Sequence, residues 1–191
     1  MAKKAAEPSQ RAEKHIISEL NLAHSTEIAG YFFYKFVAGM VADKKGKNVF
    51  NHLAEEEMEH IKVVKSIAES LEAGNGWMNY NEALKKGTPI SAAGLKIFPS
   101  ENEMTERLKK NQTDLNAVNI SIEAEEKAVH FYGELLKKAK EPGEKMLLTR
   151  LLEMEKGHLK IVRWESESLI NTGFWAGQME FSVEKESDES H

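Results

Sequence analysis

Apolar residues recur along the chain in steps of four and three, the spacing that lines one face of an α-helix. From about Ser9 to Ala42 the stripe reads Ile16, Leu20, Ala23, Gly30, Tyr34, Val37 and Val41, with Glu27 set in its middle. From about Lys47 to Ala73 it reads Phe50, Leu53, Val64, Ile67 and Leu71, interrupted by Glu57 and His60. It stops at Gly74, a residue suited to a helix C-terminus. A third helix is expected to start where Ser100 and Glu103 form a capping-box pattern behind Pro99, and to continue to about Lys140. Glu141-Pro142-Gly143 then makes a turn, with Pro142 at the first position of a fourth helix that runs to about Asn171 and ends at Gly173. No segment sustains strand alternation. The pattern predicts an all-α fold, a four-helix bundle made of two helical hairpins.

Residues 75–100 break the periodicity. Gly76, Gly87, Pro89, Gly94 and Pro99 leave scattered apolar anchors (Trp77, Ile90, Leu95, Ile97, Phe98) and room for a short helix near Asn81–Lys86. A connection this long suits a crossover along the length of a bundle. Residues 1–8 read as a flexible N-terminus, residues 9–173 as the bundle and residues 174–191 as a tail. Phe174, Trp175 and Phe181 can dock on the bundle, and the polar SVEKESDESH that ends the chain reads as disordered.

Shifting the numbering by 98 overlays the two halves. Glu27, Gly30, Phe33 and Tyr34 fall on Glu125, Ala128, Phe131 and Tyr132, and Glu57-x-x-His60 falls on Glu155-x-x-His158. In each half 30 residues separate the first glutamate from the second. Two similar hairpins related by an approximate twofold follow from this.

The repeat places four carboxylates where a bundle normally puts leucine. Burying an unpaired carboxylate costs several kcal/mol, and four together repel one another until some take up protons. Cations between them remove the difficulty: two divalent ions balance four carboxylates, with two neutral imidazoles completing the set. Residues three apart share a helix face, so both members of an E-x-x-H can reach one ion. A glutamate from each of two helices with E-x-x-H from each of the other two is the ligand recipe of di-iron and di-manganese bundles. A lone E-x-x-H in a chain so rich in glutamate would be a solvated helix face. The two here fall at equivalent places in the repeat, and Glu27, Glu57, His60, Glu125, Glu155 and His158 are the expected metal ligands.

Other residues are assigned lesser roles. His24 and His130 flank the site. Tyr34 and Tyr132, two turns beyond a ligand glutamate, are core tyrosines within reach of a carboxylate. Glu55, Glu56, Glu59 and Glu126 are expected to face solvent. Glu165 falls where the repeat places Ile67 and breaks the stripe Leu148, Leu151, Val162 and Leu169 of the fourth helix, and nothing in the sequence accounts for it.

Composition narrows the chemistry. The chain has 191 residues, a length that suits one domain, and no cysteine. Disulfides, thiolate zinc sites, iron–sulfur clusters and a cysteine nucleophile are thereby excluded. Oxygen and imidazole donors suit iron, with manganese or zinc as further candidates. A formal net charge of −5 argues against nucleic acid or an anionic membrane as partner. No apolar run approaches the roughly 20 residues needed to span a bilayer. MAKKAAEPSQ lacks the apolar stretch of a secretory signal, so a cytoplasmic location is expected.

At Glu27–Tyr34, Leu53–His60, Glu125–Tyr132 and Leu152–His158 the chain resembles the rubrerythrin-like branch of the ferritin-like superfamily. The resemblance covers about residues 10–170. It implies a non-haem di-iron centre of two iron ions that reacts with hydrogen peroxide or oxygen, often in a homodimer. Glu57 and Glu155 would pair with His60 and His158, and Glu27 and Glu125 would complete the two shells. Rubrerythrins of full length add a cysteine-ligated electron-donor domain. Without cysteine, this chain would need a separate electron-donor protein. Rubrerythrins proper also carry an extra glutamate one turn after the third-helix ligand, where this chain has Ala128. The symmetric six-residue set that remains is similar to the ferroxidase centre of bacterioferritins. The leading expectation is an oxidoreductase of rubrerythrin type. Iron handling as a ferroxidase and a metal-free helical scaffold are the alternatives.

Overall fold

The computed structural model describes residues 8–87 and 103–178, and the described residues form six helices with no strand. They are α1 (Pro8–Met40), α2 (Lys44–Glu72), α3 (Tyr80–Lys86), α4 (Glu103–Lys110), α5 (Asp114–Lys138) and α6 (Pro142–Thr172). Among them no helix is long and apolar enough to cross a membrane. The two hairpins are α1 with α2 and α5 with α6.

Helix ends follow local chemistry. The Asp43 carboxylate accepts from the backbone N–H groups of Lys45 (2.7 Å) and Gly46 (3.2 Å), so α2 starts three residues earlier than the apolar pattern suggests. Gly74 and Gly173 take left-handed φ of 72° and 76° after α2 and α6, where a side chain would be strained. The short crossover helix α3 is capped by the Asn79 side chain, which accepts from Glu82 N–H.

The third helix differs from expectation. It is broken into α4 and α5 at Asn111–Thr113. Thr113 Oγ1 accepts from Asn116 N–H at 3.2 Å, and the Asn116 amide donates to the Asn111 carbonyl at 2.7 Å. Short polar side chains offer the backbone these alternatives to helical bonding, and the run Asn-Gln-Thr-Asp supplies several of them. Helix α4 then lies back along α5, tied by two Arg107–Glu123 hydrogen bonds and by burial of Leu108 and Thr105. Ser100, Pro99 and the anchors Ile90, Leu95, Ile97 and Phe98 lie outside the described residues, as do Phe181 and the polar end of the chain.

Two apolar clusters fill the bundle, one around Phe33, Tyr34, Phe50 and Val162, the other around Tyr132, Leu148, Leu151 and Ile67. The metal-ligand candidates interrupt both. Beyond α6, Phe174 is exposed while Trp175 is buried. The Trp175 ring lies so close to Gly46 that any Cβ there would fall 2.4 Å from it, and its indole N–H donates to the Asp114 carboxylate at 2.8 Å. Glu165 holds the same segment: its carboxylate accepts from the N–H groups of Ala176 (2.9 Å) and Gln178 (2.7 Å). That is why an acid replaces an apolar residue in the α6 stripe. Trp77, equivalent to Trp175 under the 98-residue shift, packs in turn on Gly143 at the start of α6. Each half thus lays a tryptophan on the opposite half's second helix.

Candidate metal centre

All six expected ligands are buried, and the structure brings them together midway along the four long helices. They form two groups. Glu27, Glu57, His60 and Glu155 make one; Glu57, Glu125, Glu155 and His158 make the other. Within each group the donor atoms lie within 4.8 Å of one another, the arrangement needed to hold a metal ion. Glu57 and Glu155 belong to both, so each can offer one oxygen to either position.

Both histidines turn Nδ1 inward. His60 Nδ1 stands 3.1 Å from Glu155 Oε1, 3.2 Å from Glu27 Oε2 and 3.8 Å from Glu57 Oε2. His158 Nδ1 stands 3.5 Å from Glu155 Oε2, 3.6 Å from Glu57 Oε1 and 3.7 Å from Glu125 Oε1. The imidazoles stack with centroids 5.4 Å apart and planes 19° from parallel.

The tyrosines cross over. Tyr34 on α1 donates its hydroxyl hydrogen bond to Glu125 on α5, and Tyr132 on α5 donates to Glu27 on α1. Since each tyrosine lies two turns beyond the glutamate of its own helix, this reciprocal pairing requires α1 and α5 to run antiparallel. Both hydroxyls serve the carboxylates, a use that the bare sequence offers only as the less common role for a buried tyrosine.

Electrostatics show how strained this group of acids is. Burial pushes the pKa of Glu57 well above the usual carboxylate range, and the charges of Glu27, Glu155 and Glu125 add to the shift. Burial, reinforced by Glu155 against the opposing charge of His158, pushes Glu125 up as well. Burial works against an ionised Glu155 too, but the two histidines outweigh it and hold that carboxyl down. For His60, burial favours the neutral ring, yet Glu155 and Glu27 overcome it and raise the pKa to about 10. His158 is raised well above its ordinary value, burial again being outweighed by Glu125, Glu155 and Glu56. The acids are tolerated by protons and imidazolium charge, roles that metal ions can take over.

The donor set fits divalent metal. Among the described residues, Glu57 Oε2, Glu125 Oε2 and His158 Nδ1 are buried with no hydrogen-bond partner, and all three belong to the two clusters. Gly30 leaves the room: a Cβ there would come within 3.1 Å of the Glu57 carboxylate.

Residues outside the clusters divide. Glu55, Glu126 and His130 are exposed, with Glu126 paired to Arg163 at 2.7 Å. His24 is half-buried, and its pKa is lowered by burial and by Lys65. Glu56 departs from the solvent-facing expectation. Its Oε2 lies 2.9 Å from His158 Nε2, on the ring edge opposite the cluster. A glutamate between two others on a helix gives no local sign of this contact, which depends on how α2 and α6 pass one another.

A family model described as Rubrerythrin matches residues 19–165, a span that contains all six cluster residues. Among curated proteins and solved structures, none matches significantly.

Proposed function

The chain belongs to the rubrerythrin family, and from that membership and the paired clusters we propose a di-iron oxidoreductase that reduces hydrogen peroxide, or oxygen, with electrons from a separate donor protein. The observation that carries this reading is the sharing of Glu57 and Glu155 between two adjacent donor groups. It supports two ions side by side, which is what a two-electron reduction needs. Glu27 and His60 would complete one position, Glu125 and His158 the other. Oxygen and imidazole donors with no thiolate favour iron, and would accept manganese or zinc.

When bound as a ferrous pair, the metal supplies the two electrons that convert peroxide and two protons to two waters. The chain does the rest. Glu57 and Glu155 would each offer a carboxylate oxygen to both positions. Tyr34 and Tyr132 orient Glu125 and Glu27 through their hydroxyls. The surrounding apolar clusters keep bulk water from the buried carboxylates. A cytoplasmic homodimer is the assembly we associate with this activity.

Stopped-flow mixing of the ferrous-loaded protein with peroxide tests the proposal. A ferric absorption band should form rapidly in the wild type and not in a Glu57→Ala, Glu155→Ala double variant. No band in the wild type would remove the proposal. Metal analysis of protein purified without chelator separates it from a metal-free scaffold.

Ala128 favours a second reading. It leaves the donor set symmetric, which suits a ferroxidase that takes ferrous iron as substrate. Size-exclusion with light scattering discriminates, because a storage cage and a dimer differ greatly in mass.

A further inference from the structure

The approximate twofold fails on the outer side of the two histidines. His158 Nε2 has the Glu56 carboxylate 2.9 Å away, and the Glu56 side chain is only 17% exposed. His60 is its counterpart, equally buried and also turning Nδ1 inward, yet His60 Nε2 has no hydrogen-bond partner among the described residues. The 98-residue shift explains the difference. It places Glu56 on Met154, whose buried thioether is at best a weak acceptor. One turn earlier the halves differ again. His52 Nε2 stands 3.6 Å from the same Glu56 oxygen, whereas its counterpart Arg150 lies over the ring of Tyr80.

A ligating imidazole whose far nitrogen donates to a carboxylate is held in one tautomer and one orientation, and is the more basic ligand. Loss of such a partner typically weakens metal binding about 10–100-fold. We propose that the two metal positions are unequal, and that Glu56, through its hydrogen bond to His158 Nε2, makes the His158 position the tighter of the two. The inference rests on the di-metal reading above. Glu56 is a positioning residue: it acts through His158 and lies outside both donor groups. The unequal pair gives the centre an order of filling, with the His158 position first and the His60 position second. An exchangeable metal is thereby assigned to the His60 side.

Titration of the full-length apoprotein with cobalt(II) chloride, followed by calorimetry and visible absorption, tests this. The wild type should take up two ions in two resolved steps, with His158→Ala removing the tighter step and His60→Ala the weaker. Glu56→Met, which copies the other half, should weaken the tighter step about 10–100-fold and leave the weaker step in place. Glu56→Gln keeps an acceptor without the charge and should fall between. Met154→Glu should tighten the weaker step. That variant decides the matter independently if circular dichroism shows Glu56→Met to be unfolded. Two equal steps in the wild type, or a Glu56→Met protein with unchanged steps, would overturn the inference and leave the di-metal reading standing. Uptake of fewer than two ions by the wild type would instead overturn the di-metal reading itself.

Discussion

Tyr34 hydrogen-bonds the glutamate of the opposite hairpin: its hydroxyl donates to Glu125, 91 residues away, and not to Glu27 on its own helix. Tyr132 returns the contact to Glu27. Burial and nearby carboxylate charge push both phenols well above their ordinary pKa, so they remain donors across the neutral range. Tyr34→Phe or Tyr132→Phe leaves a buried carboxylate oxygen without its donor, and each should cost about 1–3 kcal/mol. Urea denaturation of the two variants measures it, and a cost below a few tenths of a kcal/mol would contradict the assigned role.

Metal uptake should release protons. His60, with a pKa raised to about 10, and His158, raised likewise, carry protons at pH 7 that a metal ion must displace. Adding metal to weakly buffered apoprotein at that pH should acidify the solution by roughly two or more protons per filled pair. Apparent affinity should rise with pH up to about 10. An affinity independent of pH would show that the imidazoles are already neutral.

Stability of the apoprotein should fall as pH rises. His60 has a folded pKa of about 10 against an ordinary value of 6.5, so its stabilising contribution is complete below 6.5 and disappears as pH approaches 10. Glu57 and Glu125, also raised, retain protons that the unfolded chain loses above about 4.5, so they push in the same direction. Glu155, shifted down, acts oppositely, but only at acid pH. Thermal melts of chelator-treated protein between pH 6 and 9.5 should show Tm declining, and metal should restore it most at the upper end. A Tm that climbs over this window would refute the charge assignment.

Position 30 should discriminate by size. Gly30→Ala gains about 1 kcal/mol of helix propensity, while its Cβ meets the Glu57 carboxylate at 3.1 Å and displaces it by a few tenths of an ångström. Stability should change little and metal affinity should drop. Gly30→Val adds two methyl groups toward the same carboxylate, and should lose most of the bound metal when assayed by elemental analysis. Full metal content in that variant would mean that Glu57 does not depend on this gap.

The segment after α6 should depend on one ring and one acid. Trp175→Ala should destabilise by about 3–5 kcal/mol, as for other buried aromatics. Glu165→Ala removes the acceptor for Ala176 and Gln178 N–H, and should expose Trp175, read as a red shift in tryptophan fluorescence. An unshifted spectrum would mean that the Phe50, Gly46 and Asp114 contacts hold the ring without Glu165.

Much of the fold and of the centre is readable from spacing. The stripes through Leu20, Ala23, Phe50, Leu53, Leu148 and Leu151 point inward because helical periodicity is a local property. Acids and histidines written into those stripes are carried inward with them. Glu27, Glu57, His60, Glu125, Glu155 and His158 were visible for that reason, and the 98-residue repeat doubled the signal. The break at Thr113 is not legible in the pattern because apolar periodicity resumes on its far side, hiding a cap that Asn111, Thr113 and Asn116 create together.

The chain alone therefore determined which residues of the stripes are buried and which chemistry they share, since both follow from intervals along one helix. Tertiary structure alone decided who meets whom. Tyr34 serves Glu125, Glu56 serves His158 but has no counterpart for His60, Trp175 crosses to Gly46, and Glu165 holds the chain beyond its own helix. These pairings depend on the register between helices, set by the packing of whole faces, and no interval within a single helix encodes it.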